Sequence, residues 1–351
     1  MGGAQVLEPS SEVVLAEQVA PAFEPGATLR LDLGGLPRSV VHPGVRIASY
    51  TILRPLGEGG YGRVYVARDR QTRRLVALKL LSRRPEVQRS FQREARAGMC
   101  VRSPFVAKVL ALGTHWKTPY LVLELVEGES LWERVGRAPR LKPREVVDIG
   151  ARLARGVASI HAAGLRHRDL KAANVIIDPQ GEPRLIDFGF AASDEEAREE
   201  GLVGTPGYWA PELHARELND PLDARAVDLY ALGCILHLCL TRRLPHMPVE
   251  GNPRNRDAAF ALLARRARGG PADLAPGLAH VPPPLASHVL SLLARDPAAR
   301  PPADEVAARL AGLTTEAWAA RQARRRRESG RHAWGYGSRG GEGGGEGQAP
   351  R

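Results

Sequence analysis

The chain has 351 residues, 43% of them hydrophobic and 25% charged, with a formal net charge of +11. This is globular composition with enough apolar residues for a sizeable core, and it excludes a disordered or collagen-like chain. Three cysteines, none in a CxxC pair, exclude a disulfide framework and a zinc site and fit a reducing cytoplasm.

Residues 1–48 are rich in Pro, Gly and Ala without sustained periodicity, and read as an irregular leader. They lack the basic start and apolar stretch of a signal peptide. From Tyr50 the texture changes: "YTILRPLGEGGYGRVYVARD" and "RRLVALKLLS" alternate apolar and polar residues, as strands do. A helix pattern follows in "PEVQRSFQREARAGMC", then strand-like text in "VAKVLALGTHW" and "PYLVLELV". Beyond this the chain turns helical. "VVDIGARLARGVASIHAAG" sets Val146, Ile149, Leu153, Val157 and Ile160 on one face and ends at Gly164, suited to a helix C-terminus. The longest apolar run, 226–240, is shorter than a bilayer span and carries Asp228 and His237, so no membrane span is read. A β-rich part followed by a larger helical part predicts two unequal lobes. Residues 314–351, with "RQARRRRESGR" and many glycines, read as a basic flexible tail. Aromatic residues are only 5% of the chain, too few to build the stacking platforms of single-strand binders, so any nucleic-acid contact is expected through this tail alone.

Several stretches carry chemistry. "GEGGYG" at 57–62 fits G-x-G-x-x-G, but a strand follows it where a dinucleotide turn needs a helix. The glycines therefore belong to a hairpin, either a plain tight turn or a loop whose backbone can approach phosphates. Lys79 ends "VALK" inside an apolar strand and needs a partner for its charge. In the next helix Val87, Phe91, Glu94 and Gly98 share one stripe, which makes Glu94 the candidate partner; the alternative is an exposed Glu94 on a slightly rotated helix. Then come "HRDLKAAN" at 167–174, "DFG" at 187–189 and "APE" at 210–212.

Taken in order, this set resembles the bacterial eukaryotic-like (Hanks-type) serine/threonine protein kinase family, over residues 50–313. The resemblance implies an α+β, bi-lobal protein-kinase fold: a small β-rich N-lobe with one key helix, about 49–126, and a larger, mainly helical C-lobe, about 127–313. It implies transfer of the ATP γ-phosphate to Ser/Thr hydroxyls of proteins, with magnesium (or manganese in its place), in bacterial signalling; the chain is expected to act in the cytoplasm. Leu56, Gly57, Glu58, Gly59, Gly60, Tyr61, Gly62, Arg63 and Val64 would cover the ATP phosphates, with Lys79 on the α and β phosphates and Glu94 holding Lys79. Asp169 would accept or orient the proton of the substrate hydroxyl, and Lys171 would reach the γ-phosphate. Asn174 and Asp187 would bind the metal as hard oxygen ligands. Val64 and Ala77 would roof the adenine, Ile176 would lie beneath it, Glu124 and Val126 would belong to the hinge, and Leu123 would be the gatekeeper.

The resemblance also implies that Asp228 accepts bonds from the catalytic-loop backbone, that Glu212 and Arg300 form a buried ion pair, and that Thr205 contacts Asp169 and Lys171. Arg168 would pair with a phosphorylated residue of the segment from Asp187 to Gly204. That segment has a single hydroxyl, Ser193, and an acidic run, "SDEEAREE" at 193–200. One expectation is that Glu199 or Glu200 pairs with Arg168 in place of a phosphate; the others are phosphorylation of Ser193 or Thr205, or a solvated acidic loop. The alternative function is a catalytically weak kinase-fold scaffold whose basic tail binds an acidic partner. Relatives of this kind often continue into a membrane span and sensor domain, and none is read here. The oligomeric state and physiological substrate stay open.

Overall fold

The computed structural model describes residues 5–6, 41–59, 62–81, 92, 94–96, 98–116, 118–137, 139–199, 202–214, 223–247 and 256–313. The basic tail and most of the leader lie outside the described residues.

The first lobe is one antiparallel sheet of β1 (Gln5–Val6), β2 (Arg46–Ile47), β3 (Tyr50–Gly59), β4 (Gly62–Asp69), β5 (Leu75–Leu81), β6 (Val109–His115) and β7 (Thr118–Glu124). Their order is β1-β6-β7-β5-β4-β3-β2. Alternation along the strands buries both faces: Tyr50, Ile52, Tyr65 and Leu78 pack on one side, and Val64, Ala77, Leu121 and Leu123 on the other. β1 and β2 draw on stretches that read as leader in the sequence: Val6 pairs with Ala111 and Ile47 with Tyr50. One helix, α1, crosses the second face and is helical at every described position from 92 to 100. Gly98 is what lets it sit close, because a Cβ there would lie 2.1 Å from Val109 Cγ2. Val87 and Phe91, expected on its inward stripe, fall outside the described residues.

The second lobe begins with β8 (Glu129–Ser130), α2 (Leu131–Arg137) and α3 (Pro143–Ala162). Proline at the start of α3 costs no hydrogen bond, and Gly164, just past its end, adopts φ 76°. The face predicted for α3 is buried as expected: Val146, Ile149, Leu153, Val157 and Ile160. β9 (Val175–Ile177) and β10 (Pro183–Leu185) complete a three-stranded sheet with β8, and the loop expected to be catalytic lies between α3 and β9. After them come α4 (Asp194–Glu199), α5 (Ala224–Thr241), α6 (Arg256–Arg268), α7 (Pro283–Leu292) and a last helix over 303–313.

α5 is apolar on every side. By length and composition it could cross a membrane, but it is buried within the lobe along nearly its whole length. Each Leu or Ile sealed there contributes about 1.5–3 kcal/mol of transfer free energy. The expected ion pair between Glu212 and Arg300 is present and bidentate, at 2.6 and 2.7 Å, with the Arg300 side chain wholly buried. Arg300 also donates to the carbonyls of Ala226 and Ala294, so it ties three segments together.

We expect Arg300→Gln to lower the unfolding free energy by about 3–5 kcal/mol, because it leaves the Glu212 carboxylate without its partner. Urea denaturation at neutral pH, wild type beside variant, measures it.

Candidate functional site

The site lies where the two lobes meet. Lys79 is the fifth residue of β5, buried by the pleat, and its Nζ donates to both Glu94 oxygens at 2.9 Å. The same ammonium donates to Asp187 Oδ1, also at 2.9 Å, so one cation from the small lobe holds carboxylates from both lobes. Burial works against the charge on Lys79, but Asp187 and Glu94 outweigh it and hold its pKa above the usual lysine value. Burial pushes the Glu94 carboxyl up to about 7, against the pull of Lys79. Desolvation would raise Asp187 too, but there the ammonium prevails and the pKa lies well below the ordinary carboxylate value.

The catalytic loop hangs from Asp228 on α5. This buried carboxylate accepts from the backbone N–H of His167 and Arg168, each at 2.8 Å, and bonds His161 Nε2 at 2.9 Å. Arg168 is thereby held at φ 64°, a conformation a non-glycine residue seldom adopts without such bonds. The turn it makes presents Asp169. Asp169 Oδ1 accepts from Thr205 Oγ1 at 2.7 Å, and Oδ2 accepts from Lys171 Nζ at 2.7 Å. Lys171 also donates to Thr205 Oγ1 at 3.1 Å, which closes the expected triangle. Gly204 (φ 87°) comes so near that a Cβ would lie 2.4 Å from the Arg168 carbonyl oxygen. Asn174 donates to the carbonyl of Asp169 at 2.9 Å, and Phe188 packs on the His167 ring.

The other sequence-predicted residues fall around this centre. Leu56, Val64, Ala77 and Leu123 share one apolar cluster on the small lobe, while Ile176 and Val126 share another facing it. Glu58 and Gly59 continue β3, opposite Arg63 and Gly62 on β4, with Gly57 opposite Val64. Gly60 and Tyr61, at the tip of that hairpin, lie outside the described residues. Gly62 is required: a Cβ would sit 2.1 Å from the Leu80 carbonyl oxygen. Glu124 does more than end β7. Its side chain is buried and accepts from Arg184 on β10 at 2.9 Å and from the Lys108 backbone at 2.8 Å, which links the hinge to the second lobe.

A divalent cation fits this donor set. Asp187 keeps 42% of its side chain exposed, and its Oδ2 and the Asn174 amide oxygen carry no bond among the described residues. Two hard oxygen ligands are what magnesium takes from a protein when water and phosphate complete its shell. Among the described residues no group of three or more His, Cys, Asp or Glu side chains could hold a metal on its own.

Asp194–Glu199 of the acidic run form a helix, where a solvated loop was one of the expectations. Ser193 Oγ accepts from the Glu196 N–H at 3.2 Å, and Glu196 Oε2 accepts from the Ser193 N–H at 2.9 Å, a reciprocal cap for α4. Asp194 pairs with the buried Arg166 at 2.5 Å, and Glu196 pairs with Arg96 of α1 at 2.8 Å. Part of the charge is thus used to fasten the segment to both lobes. The side chain of Glu199 and all of Glu200 lie outside the described residues, and with them the expected pairing to Arg168. The S-x-x-E spacing was a local signal for this helix; for Arg166, Arg96 and Arg184 the sequence held no such signal.

Residues 50–309 match the model of the protein kinase domain family. The chain is 35% identical over 269 residues to the serine/threonine-protein kinase pkn2 of Myxococcus xanthus, covering 72% of this chain and 31% of that protein. It is 33% identical over 280 residues to the serine/threonine-protein kinase PknA of Mycobacterium tuberculosis (75% and 62%), and 32% identical over 211 residues to the CBL-interacting protein kinase 21 of Oryza sativa (58% and 40%). The chain therefore spans less than two thirds of the length of each of these relatives.

Asp228 supplies a pH test. Burial would raise its pKa, but the bond to His161 and the backbone donors outweigh that and hold it below its ordinary value of 3.8. A depressed carboxylate stabilises the fold fully above its unfolded pKa, and that stabilisation is lost as pH falls through the folded one. We expect stability to fall below about pH 4, and Asp228→Asn to be less stable at neutral pH but flatter across the acid range. Denaturant melts at stepped pH values, wild type beside variant, measure both slopes.

Proposed function

The chain belongs to the protein kinase family, and on that premise we propose that it is a serine/threonine protein kinase, transferring the γ-phosphoryl group of ATP to Ser or Thr hydroxyls of other proteins. The observation that carries this reading is the triangle of Asp169, Lys171 and Thr205. Phosphoryl transfer asks a protein for position and charge more than for covalent chemistry. Asp169 is fixed by its neighbours with its carboxylate towards the segment that carries Thr205, where an acceptor hydroxyl can donate to it. As the hydroxyl oxygen bonds to the γ-phosphorus, the bond from that phosphorus to the β–γ bridging oxygen breaks and ADP leaves, while the hydroxyl proton passes to Asp169 or is oriented by it. Lys171 holds a positive charge beside the same carboxylate, where charge on the transferred group develops. Lys79, kept charged by Glu94, orients the nucleotide phosphates, and the apolar clusters around Ala77 and Ile176 enclose the base.

Magnesium, held by Asn174 and Asp187, would neutralise phosphate charge; manganese offers the same ligand preferences. Acceptors are proteins of unspecified sequence. The three free cysteines support action in a reducing compartment.

Radiolabelled ATP with magnesium, offered to wild type beside Asp169→Asn, tests the reading. We expect label in the wild type, and a loss of about 100- to 10,000-fold in the variant with nucleotide binding kept. A wild type that binds ATP and labels neither itself nor a generic acceptor protein would overturn it.

A further inference from the structure

Arg266 on α6 is buried, yet no carboxylate among the described residues pairs with it. Its two terminal nitrogens donate to backbone carbonyls instead, while its buried Nε has no partner among the described residues. Nη1 donates to Trp209 O at 2.7 Å and, at the outer limit for such a bond, to Pro206 O at 3.5 Å. Nη2 donates to Gly207 O at 2.7 Å and to Pro245 O at 3.1 Å. The guanidinium carbon lies 5.6 Å from the centre of the Tyr230 ring, whose negative face adds to the compensation. A buried charge is costly unless its donors are used, so this arginine persists because the carbonyls and the ring meet it.

Three of the four carbonyls belong to Pro206, Gly207 and Trp209, directly after Thr205. The segment is therefore held at both ends. At one end Thr205 binds Asp169 and Lys171; at the other, Arg266 gathers the backbone. Between them the Tyr208 hydroxyl accepts from the Ala172 N–H of the catalytic loop at 3.3 Å. The partners of Lys79, Glu94, Asn174 and Asp187 among the described residues do not include Arg266. Thr205, bonded to the Asp169 carboxylate, leads directly into this segment.

We infer that Arg266 is a positioning residue for the acceptor protein: it sets the 206–209 backbone on which the acceptor lies, without acting on the nucleotide. The inference rests on the kinase reading for its consequence in turnover, and on the carbonyl contacts alone for its consequence in the loop.

The test uses the full chain as wild type, Arg266→Lys and Arg266→Met, with myelin basic protein as acceptor. Slow hydrolysis of ATP, with water as acceptor, is followed in parallel, as is amide hydrogen exchange across 204–210. A reacting group misplaced by about 1 Å costs on the order of 100-fold, so Arg266→Met is expected to lose about that much in kcat/KM for the acceptor protein. KM for ATP and the rate of ATP hydrolysis should stay as in the wild type, and exchange should quicken only across 204–210. Arg266→Lys keeps a charge with three donors and should recover part of both losses; it carries the test if the Met variant fails to fold. Unchanged acceptor turnover and unchanged exchange would overturn the inference. So would a loss spread equally over acceptor transfer, ATP hydrolysis and exchange throughout α5 and α6. A wild type that labels no acceptor speaks against the kinase reading, and the exchange of 204–210 then decides on Arg266 by itself.

Discussion

The arrangement depends on one buried carboxylate. Asp228 has its negative charge deep in the second lobe, on a helix that is otherwise apolar, and such a charge persists only if donors reach it from several sides. His161 and the backbone of His167 and Arg168 supply those donors. Their geometry forces the left-handed turn at Arg168, and that turn aims Asp169 at Thr205 and Lys171. The geometry around Asp169 is a consequence of satisfying a buried charge.

Lys79 repeats the principle between the lobes. Its single ammonium is divided between Glu94 and Asp187, and burial, with the Asp187 charge adding to it, leaves Glu94 the less easily ionised. A cation at Asp187 and phosphates near Lys79 would complete charges that the protein leaves partly matched, so the pairing prepares the site for a ligand of that composition. The hinge is closed by a third buried pair, Glu124 with Arg184.

The fold and the contacts expected around Asp169 were legible in the sequence because they rest on local spacing. The strand alternation around Lys79 and the stripe on α3 each lie within one element, and HRD, DFG and APE are each contiguous in the chain. What was not legible depends on residues far apart. Arg265, Arg266 and Arg268 lie in one basic stretch, and only Arg266 is buried, because the carbonyls that receive it are mostly about sixty residues away. Glu124 and Arg184 meet for a similar reason, across a turn of tertiary structure that no periodicity announces. The acidic run stands between these cases: its capping spacing was visible, but its two arginine partners come from the catalytic loop and from α1.

These separate contacts converge on α5. Asp228 and Tyr230 are two residues apart on that helix and so point to nearly opposite sides of it. Asp228 takes the catalytic loop, while the Tyr230 ring lies under both Arg266 and Arg300, 5.6 and 5.0 Å from its centre. Arg266 gathers the segment beyond Thr205, and Arg300 holds Glu212 at the end of that same segment. A helix that serves opposite sides at once cannot keep a solvated face, which is why α5 carries no amphipathic stripe and is buried all round. Its apolar character follows from this double duty. α5 is the element against which the loop that holds Asp169 and the segment beyond Thr205 are fixed relative to each other.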